Sequence, residues 1–355
     1  MAIVTIVGFG QMGRYYLNNL QNIGLAEDNI VVCDIDPAKV ARAQNDFPAL
    51  AIAGTLDALP VTETAIIASN TPSHCVAIEA LTVRGTRFIF CEKPLGLSLE
   101  ETDRIDAAVR AVDGAVYTAF LINFSPAVQA LIEQMRIEDL VLVEGMVTWG
   151  KNRFGDTRPS SGDTEDESVH GAELLRLLAG INREIHSETV SGRVSYLDFV
   201  DQAAQDRAHA LDPSFPRTVD SSTFALLTME TNVGKVSCSL QSSFLLGEQV
   251  RQVRVLLASR EKPEMPRYAA RFDFDVKRES GIVDLLQVTD IQKKTDIGEQ
   301  PWAGDKIKAQ LLAFYEAIAG GKIDERLTSF LRAKAAVAFT KAIQQSSERG
   351  TPVSL

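Results

Sequence analysis

Short apolar runs alternate with longer amphipathic stretches along the first 120 residues of the chain. Apolar runs without a polar face are typical of parallel strands that helices cover on both sides. The predicted strands are Ile3–Val7, Ile30–Cys33, Thr64–Ala68, Thr86–Cys91 and Ala115–Ala119. The predicted helices are Met12–Ile23, Pro37–Gln44, Ser73–Arg84 and Leu99–Val112. This alternation predicts right-handed βαβ units in a doubly wound parallel sheet.

After residue 123 the pattern changes, because polar and apolar residues alternate with a period of two over much of the segment 185–290. Such alternation is typical of an antiparallel sheet with one solvated face. The predicted strands are Val141–Thr148, Thr223–Met229, Lys235–Gln241, Gln252–Ala258 and Ala269–Asp275. The predicted helices are Pro126–Met135, Glu165–Ala179, Lys306–Ala319 and Ser329–Ser346. We therefore predict an α/β protein with one domain over residues 1–122 and a second over residues 123–355.

Length and composition agree with this division and exclude several classes of protein. A chain of 355 residues exceeds the size at which a single core stops growing, which favours two domains. The net charge of −11 disfavours a nucleic-acid partner, because phosphate binding relies on clustered Lys and Arg. No apolar run approaches the length needed to span a bilayer, so no membrane partner is expected.

The four cysteines are scattered, and no two of them form a CxxC pair. This spacing matches neither a disulfide framework nor a zinc site, and we expect no bound metal. The first residues run directly into a strand rather than into a secretory signal. Together these patterns predict a cytoplasmic protein.

A glycine turn follows the first predicted strand and opens the first predicted helix. The residues of the turn are Gly8, Phe9, Gly10, Gln11, Met12 and Gly13. In this GxGxxG pattern the first glycine permits a tight turn and the second lets a pyrophosphate approach the backbone. The third lets helix and strand pack closely, with the helix N-terminus towards the phosphate charge. The pattern predicts a dinucleotide site.

An acidic residue ends the second predicted strand, as such a site requires. Asp34, followed by Ile35, stands where a carboxylate could accept hydrogen bonds from both ribose hydroxyls. A 2′-phosphate beside Asp34 and Asp36 would be repelled, so NAD is favoured over NADP. The alternative is a glycine turn with an unrelated aspartate that caps a helix.

Two further strand ends carry a resemblance to a known family. The fifth strand ends in Cys91-Glu92-Lys93-Pro94, and the fourth ends in Ser69-Asn70-Thr71-Pro72-Ser73-His74. With Phe124-Ser125-Pro126 at the domain crossover, the chain resembles the Gfo/Idh/MocA family, named after glucose–fructose oxidoreductase, inositol dehydrogenase and a rhizopine-catabolism protein. The residues expected near the cofactor at these ends are Ser69, Asn70, Thr71, His74, Glu92 and Lys93.

The resemblance implies an N-terminal NAD-binding Rossmann domain and a C-terminal α/β domain with a large open-faced, mainly antiparallel sheet. Members use NAD(P) to oxidise or reduce a hydroxyl of a sugar, cyclitol or related small molecule, and the lysine of their Glu-Lys-Pro motif contacts the substrate. By position that lysine is Lys93. The alternative for Lys93 taken alone is a solvated lysine at a strand end.

Thr164-Glu-Asp-Glu167 has the spacing of a capping box, with Thr164 as N-cap and Glu167 reaching back to it. The following helix then carries Asp166 and His170 on one face, since they are four residues apart. Members of the family commonly carry this Asp-x-x-x-His pattern. His170 suits removal of a hydroxyl proton near neutral pH, and Asp166 could orient it. The alternative is a surface histidine among acids.

Charged residues also mark the entrance to this helix. Trp149, Lys151 and Arg153, with Arg158, could clamp a phosphate, carboxylate or polyol, or they could form a solvated loop. Asn123 occupies the position before the Phe-Ser-Pro turn where many relatives have an arginine. We count Lys93, Asn123, Trp149, Lys151, Arg153, Asp166 and His170 as the candidate substrate-binding residues.

The function predicted from these residues is that of an NAD-dependent dehydrogenase. It would act on a secondary alcohol or ketone of a polyol, sugar, sugar phosphate or cyclitol, with Lys93, Asp166 and His170 as catalytic residues. Two alternatives stay open: an NAD-binding regulatory protein without activity, and a reductase of a non-sugar small molecule. A flat sheet face could pair subunits, so a homodimer or homotetramer is expected.

Overall fold

The structure, a computed structural model, describes residues 4–154, 159–197, 200–211, 216–274, 286–287 and 305–355. The chain divides into two compact units. The first unit comprises Met1–Leu121 and Asp305–Val337, and the second comprises Ile122–Gly304 and Ala338–Leu355. No helix within the described ranges combines the length and the apolar character that crossing a bilayer requires.

The helices and strands of these residues follow one another in the order that the two sequence patterns indicate. The strands are β1 Val4–Val7, β2 Ile30–Cys33, β3 Ala51–Ala53, β4 Thr64–Ile67, β5 Phe88–Glu92, β6 Ala115–Ala119, β7 Leu140–Asn152, β8 Ile185–Ser195, β9 Ser222–Thr231, β10 Gly234–Ser243, β11 Leu245–Ser259, β12 Pro266–Asp273, β13 Leu286–Gln287, β14 Thr328–Ser329 and β15 Val353–Ser354. The helices are α1 Gln11–Asn22, α2 Pro37–Asp46, α3 His74–Val83, α4 Leu99–Arg110, α5 Pro126–Ile137, α6 Val169–Ala179, α7 Gln202–Leu211, α8 Lys306–Ile318 and α9 Phe330–Arg349. A π-helical turn over Thr164–Ser168 leads into α6.

The first unit is built on a seven-stranded sheet in the order β3-β2-β1-β4-β5-β6-β14. The strands β1 to β6 pair in parallel, and every residue of β1, β2 and β4 is buried. Their apolar runs have no polar face because helices cover both sides of such a sheet. The predicted doubly wound parallel sheet is confirmed, and its strand order reverses beside β1 and β4, where open α/β sheets bind ligands.

The assignment of residues 123–355 to one domain differs from the observed division, because residues 305–337 belong to the first unit. There β14 pairs antiparallel with β6, and α8 packs against α1. Phe314 of α8 lies 5.3 Å from Phe90 and 6.0 Å from Tyr117, measured between ring centroids. The sequence pattern could not predict that residues 305–337 join the first unit, because periodicity predicts helices and strands but not the sheet to which they belong.

The second unit is built on an eight-stranded sheet in the order β13-β12-β11-β7-β10-β9-β8-β15. Every pair is antiparallel except β7 with β10, which confirms the mainly antiparallel sheet. Helices α5, α6 and α9 cover one face and form a core with it, to which Leu131, Leu175, Leu240 and Phe339 belong. The period of two in the sequence reflects this one covered face.

The longer elements β8 and α7 of the second unit, like the two-residue strands β13 and β15, have no predicted counterpart. In β8 two inward positions hold Glu188 and Gly192, so its apolar alternation is interrupted. Glu188 is buried in an ion pair with Arg176 of α6, at 2.5 Å. Helix α7 is largely polar, and its buried Gln205 makes only polar contacts to loops. Of the predicted elements, Ile3 and Asp275 lie outside the described residues.

Candidate functional site

The glycine turn of the first unit has the geometry that its sequence predicts. Gly8 has a φ of +90°, and a Cβ there would lie 2.5 Å from the backbone nitrogen of Ser69. A Cβ on Gly13 would lie 2.1 Å from the carbonyl oxygen of Gly8. A Cβ on Gly10, in contrast, would meet no described atom within 4 Å. The first and third glycines therefore serve packing, and the second leaves open space at the turn.

This space fits a dinucleotide phosphate. Gly10 is the N-cap of α1, and no described side chain caps the first amides of that helix. Free amides at a helix N-terminus attract an anion, and a Cβ at residue 10 would fill the approach to them. Of the other turn residues, Gln11 is exposed, Met12 is half-buried, and the Phe9 ring is buried edge-on against Phe47. At Phe9 a cofactor would therefore meet the backbone rather than the aromatic ring.

The side chain of Asp34 forms a hydrogen bond with the backbone of the glycine turn. Its Oδ2 accepts from the backbone N–H of Phe9 at 2.7 Å, and its Oδ1 accepts from the N–H of Asp36 at 2.9 Å. Lys39 of α2 places its Nζ 3.5 Å from Oδ2. The carboxylate, expected to accept only from a ribose, therefore also fixes the glycine turn. Ile35, which follows it, is 82% exposed.

The end of β5 is tied to helix α1 through a partly buried polar contact. Tyr16 donates to Oε1 of Glu92 at 2.5 Å, and burial raises the pKa of both groups. The next peptide bond, Lys93–Pro94, is cis. Lys93 itself is half-buried at the strand end, at the carboxyl edge of the sheet where its role was predicted.

The side chain of His74 connects the segment after β5 to the end of β4. Its Nδ1 lies 2.9 Å from the carbonyl oxygen of Pro94, and its Nε2 lies 3.2 Å from that of Ser69. Burial lowers the pKa of His74 to about 4, so the ring is neutral near pH 7. The residue is therefore a structural link between two strand ends, and its side chain is enclosed. Asn70 is exposed, Ser69 is half-buried and Thr71 is buried.

In the second unit, the predicted capping box at the start of the Asp166 helix is wrong. Thr164 lies inside the π-helical turn, where its backbone N–H and its Oγ1 both donate to Oδ2 of Asp220, at 2.8 and 2.6 Å. Glu167 does not reach back, because its carboxylate accepts from Trp149 and Lys151. The distant Asp220 competes successfully for the donors that a local cap would use.

Asp166 is held by Arg153, which is itself a predicted site residue, and by Ser160, which no sequence signal marked. Its Oδ2 accepts from Oγ of Ser160 at 3.0 Å and lies 3.6 Å from Nη1 of Arg153. The backbone of Ser160 is in turn fixed by the buried Gln205, which accepts from its N–H at 3.0 Å and donates to its carbonyl oxygen at 2.8 Å. No local motif joins these residues, since 45 residues separate Ser160 from Gln205.

His170 lies against a buried aromatic ring. The ring centroids of Trp149 and His170 are 5.2 Å apart, and the two planes meet at 31°. On Trp149 the guanidinium of Arg251 lies 4.9 Å from the ring centroid, since the two residues are paired across β7 and β11. Burial lowers the pKa of Arg251. Arg251 is a further residue that no sequence signal marked.

The basic residues of the predicted clamp are paired with acids. Lys151 forms an ion pair with Glu167, and Arg153, which is 5% exposed, faces Asp166 and lies over the ring of Phe244. Their charge is therefore balanced within the protein, which weakens the prediction of an oxyanion clamp. Arg158 lies outside the described residues.

Asn123 is not available to a substrate in this structure. Its side chain is fully buried, and its Nδ2 donates to Oε1 of Glu173 on α6 at 3.2 Å. The predicted substrate contact at this position is thus replaced by a contact that joins the crossover to α6.

Two buried carboxylates, those of Asp163 and Glu165, bind the π-helical turn to neighbouring elements. Ser242 donates to Oδ2 of Asp163 at 2.5 Å, and burial raises the pKa of Asp163 to about 8. Glu165 accepts from Thr340 at 2.9 Å and from Lys341 at 2.6 Å, both on α9. These contacts anchor the segment that carries Asp166 and His170. Within the described residues no group of His, Cys, Asp and Glu could hold a metal ion.

Comparison with known proteins supports the identification of the first unit. Residues 3–120 match the family model GFO_IDH_MocA, described as "Oxidoreductase family, NAD-binding Rossmann fold". Among curated proteins, a myo-inositol dehydrogenase of Streptomyces leeuwenhoekii is 25% identical over 197 residues, which are 53% of this chain and 58% of that protein. The chain thus spans little more than half the length of that curated relative. The match identifies an NAD-binding Rossmann domain.

Solved structures extend the likeness of fold to the whole chain. A UDP-N-acetylglucosamine 3-dehydrogenase from Acidithiobacillus ferrooxidans has a TM-score of 0.72 at 17% identity, covering 98% of this chain and 99% of that one. The WlbA dehydrogenase from Bordetella pertussis, in complex with NADH and UDP-GlcNAcA, has a TM-score of 0.71 at 14% identity, covering 100% and 99%. At these identities the likeness establishes the fold alone.

Proposed function

We propose that the chain is an NAD-dependent dehydrogenase of the Gfo/Idh/MocA type, because residues 3–120 match the NAD-binding Rossmann model of that oxidoreductase family. The substrate class is a secondary alcohol, or the matching ketone, of a polyol, sugar, sugar phosphate or cyclitol. The observation that carries the proposal is the glycine turn, where Gly10 leaves space at the bare N-terminus of α1.

The turn, Asp34 and the ends of β4 and β5 would hold the cofactor. Bound NAD supplies the acceptor for a hydride, so the protein must bind the alcohol, orient it and remove its proton. Asp34 supports the preference for NAD, because its carboxylate would repel a 2′-phosphate. Lys39, 3.5 Å away, offsets part of this charge.

His170 is the proposed base for the hydroxyl proton. Imidazole is the side chain that most often removes a proton in catalysis, and the ring of His170 is kept in place by Trp149. Asp166, fixed by Ser160, is proposed to orient the imidazole or the substrate hydroxyl. Lys93 is proposed to contact the substrate oxygen and to stabilise its developing negative charge. The resemblance of the Glu-Lys-Pro and Asp-x-x-x-His patterns supports these three roles.

Substrates of relatives support the carbohydrate class. The curated relative is named for myo-inositol, and the two structural neighbours carry UDP-sugars in their names. All three present a ring bearing secondary hydroxyls. The balanced charges of Lys151 and Arg153 favour a neutral polyol over a phosphorylated sugar for this chain.

The test is a substrate panel with purified protein and NAD, followed by the near-ultraviolet absorbance of NADH. The panel contains inositols, free sugars, sugar phosphates and nucleotide sugars. With the substrate that turns over, His170→Ala and Lys93→Ala should each lower kcat by about 10²–10⁴-fold, the range for general acid–base and electrostatic catalysis. NAD affinity, measured by calorimetry, should stay within about twofold of the wild-type value, since His170 lies outside the glycine turn.

The same measurements separate the alternatives. Tight NAD binding without turnover on any panel would support a regulatory protein and contradict the catalytic roles. Turnover confined to non-sugar ketones or imines would retain the dehydrogenase and overturn the carbohydrate class. Wild-type rates in both variants would refute the assignment of His170 and Lys93.

The uncovered face of the second sheet supports an oligomer, which we include in the proposal. Its outward residues Met146, Phe224 and Leu226 are each more than 40% exposed. An open groove of about 500 Å³ beside Met146 is lined by Leu256 and Ala269. Apolar residues in one exposed surface mark interfaces, and a homodimer through this face is expected. Leu226→Glu should shift the protein to monomers in light scattering; an unchanged mass would contradict this face.

The cytoplasmic location is part of the same proposal. It rests on the four cysteines, which are all buried free thiols. Burial raises the pKa of Cys33, Cys75, Cys91 and Cys238, so none is activated as a nucleophile.

A further inference from the structure

Glu167 has a place beside the candidate base that the local sequence does not explain. Its side chain is 2% exposed, and it lies in the π-helical turn between Asp166 and His170. Its Oε2 accepts from the indole Nε1 of Trp149 at 3.0 Å, and its other oxygen forms the ion pair with Lys151. A buried carboxylate that accepts an indole N–H fixes both the tilt and the depth of the ring, because the indole has a single donor.

The fixed indole then determines where the imidazole of His170 can lie. Trp149 is 3% exposed, and its ring contacts His170 at a centroid separation of 5.2 Å. Arg251 lies over the indole, and Phe274 approaches it at 6.2 Å, so the ring has neighbours that restrict its movement. A chain of contacts thus runs from Glu167 through Trp149 to His170.

We propose that Glu167 is a positioning residue, which orients the imidazole of His170 through the indole of Trp149. The inference rests on the proposed function, since the orientation of this ring matters for turnover only if His170 is the base. Among the described residues, charged side chains along this chain of contacts include Asp166 and Glu167 on the segment of His170, Lys151 and Arg153 paired with them, and Arg251 over Trp149.

Tryptophan fluorescence tests the contact without a substrate. The chain has two tryptophans, so Trp302→Phe leaves Trp149 as the only indole. A protonated imidazole in contact with an indole quenches its emission, whereas the neutral ring does so weakly. In this background the emission of Trp149 should fall as the pH is lowered, and His170→Gln should abolish the fall.

Three variants then isolate the role of Glu167. Glu167→Ala removes the acceptor of the indole N–H and should reduce the pH-dependent quench at least about twofold, because a ring contact depends steeply on separation. Lys151→Met is the matched control: it removes the ion pair, keeps the acceptor, and should retain the quench. Glu167→Gln keeps one acceptor oxygen and should also retain it.

The outcomes decide the inference separately from the proposed function. A full quench in Glu167→Ala, or a wild-type signal that His170→Gln does not change, overturns it. If Glu167→Ala does not fold, a loss of quench shared by Glu167→Gln and Lys151→Met overturns it as well, because the ion pair would then carry the effect. A Glu167-dependent quench supports it even if no substrate turns over, in which case only the proposed function fails.

Kinetics with the identified substrate supply the second readout. Glu167→Ala should lower kcat by about tenfold, a fraction of the 10²–10⁴-fold contributed by the base itself, and leave KM for NAD unchanged. Glu167→Gln should restore most of that kcat. Equal loss in Glu167→Ala and Glu167→Gln would contradict positioning through the indole.

Discussion

The first unit makes its candidate cofactor site from backbone, whereas the second holds its candidate base with side chains from distant elements. Gly8, Gly10 and Gly13 act through the absence of a Cβ, and Asp34 supports them from the next strand. Asp166 and His170 instead depend on partners from β7, α7 and β11 and on a loop. The first arrangement can be recognised from a short sequence motif, whereas the second cannot.

This difference predicts which substitutions each unit tolerates. A backbone-made site should fail when a single Cβ is added and should be insensitive to most side-chain changes. A site held by side chains should fail when a remote partner is lost. Three predictions test this contrast, in order of the size of the expected effect.

Gly8→Ala should destabilise the first unit by more than about 3 kcal/mol, because it combines a left-handed backbone with a backbone clash. The φ is +90°, and the new Cβ would lie 2.5 Å from the nitrogen of Ser69. Denaturant unfolding followed by circular dichroism measures the loss.

Gly10→Ala is the matched control for that prediction. Its Cβ meets no described atom within 4 Å, so stability should change by less than about 1 kcal/mol, the ordinary range for a glycine-to-alanine change. Affinity for NAD, measured by calorimetry, should nevertheless fall, since the methyl group occupies the approach to α1. Equal destabilisation in the two variants would break the distinction between packing and binding glycines.

Lys341→Met tests the second unit from a distance. The substitution leaves Glu165, which is 2% exposed, without its cationic partner on α9. Removal of one member of a buried pair costs about 3 kcal/mol, because the remaining charge is desolvated without compensation. Thermal unfolding should show the loss, and double substitution with Glu165→Gln should recover much of it. A stability equal to that of the wild type would show that this anchor carries little energy.

Two buried groups, His74 in the first unit and Asp163 in the second, should make opposite contributions to the pH dependence of stability. His74 has a folded pKa of about 4 against a model value of 6.5, so the unfolded chain binds the proton first and stability falls on acidification below about 6.5. Asp163 has a folded pKa of about 8 against 3.8, so the folded chain retains the proton and stability falls as the pH rises from about 4 to about 8.

The variants His74→Asn and Asp163→Asn separate the two contributions in thermal unfolding over this pH range. His74→Asn should reduce the loss of stability on acidification below about pH 6.5. Asp163→Asn, which keeps an acceptor for Ser242, should reduce the loss of stability between about pH 4 and about pH 8. An unchanged slope in either variant would show that the residue does not govern the dependence in its unit.

The sequence predicted the first unit more fully than the second, for a physical reason. The parallel strands are uniformly apolar, and the turn glycines serve a backbone geometry that few other residues permit. In the second unit the pattern predicted the sheet and the Asp166–His170 spacing. It did not predict Ser160, Gln205 or Arg251, because polar partners joined across 45 or more residues leave no period in the sequence. The wrong capping box at Thr164 has the same cause, since Asp220 lies 56 residues away.

The return of residues 305–337 to the first unit sets an order of events during synthesis. The first sheet gains β14, and the rings of Phe90 and Tyr117 gain Phe314, only after strands β7 to β13 of the second sheet have been translated. A nascent chain that has just emerged to residue 121 therefore holds an unpaired edge at β6 and an uncovered aromatic cluster. Such surfaces bind chaperones or aggregate until the partner segment arrives. Synthesis of the first unit thus begins before that of the second unit and is completed only after most of the second unit has been made.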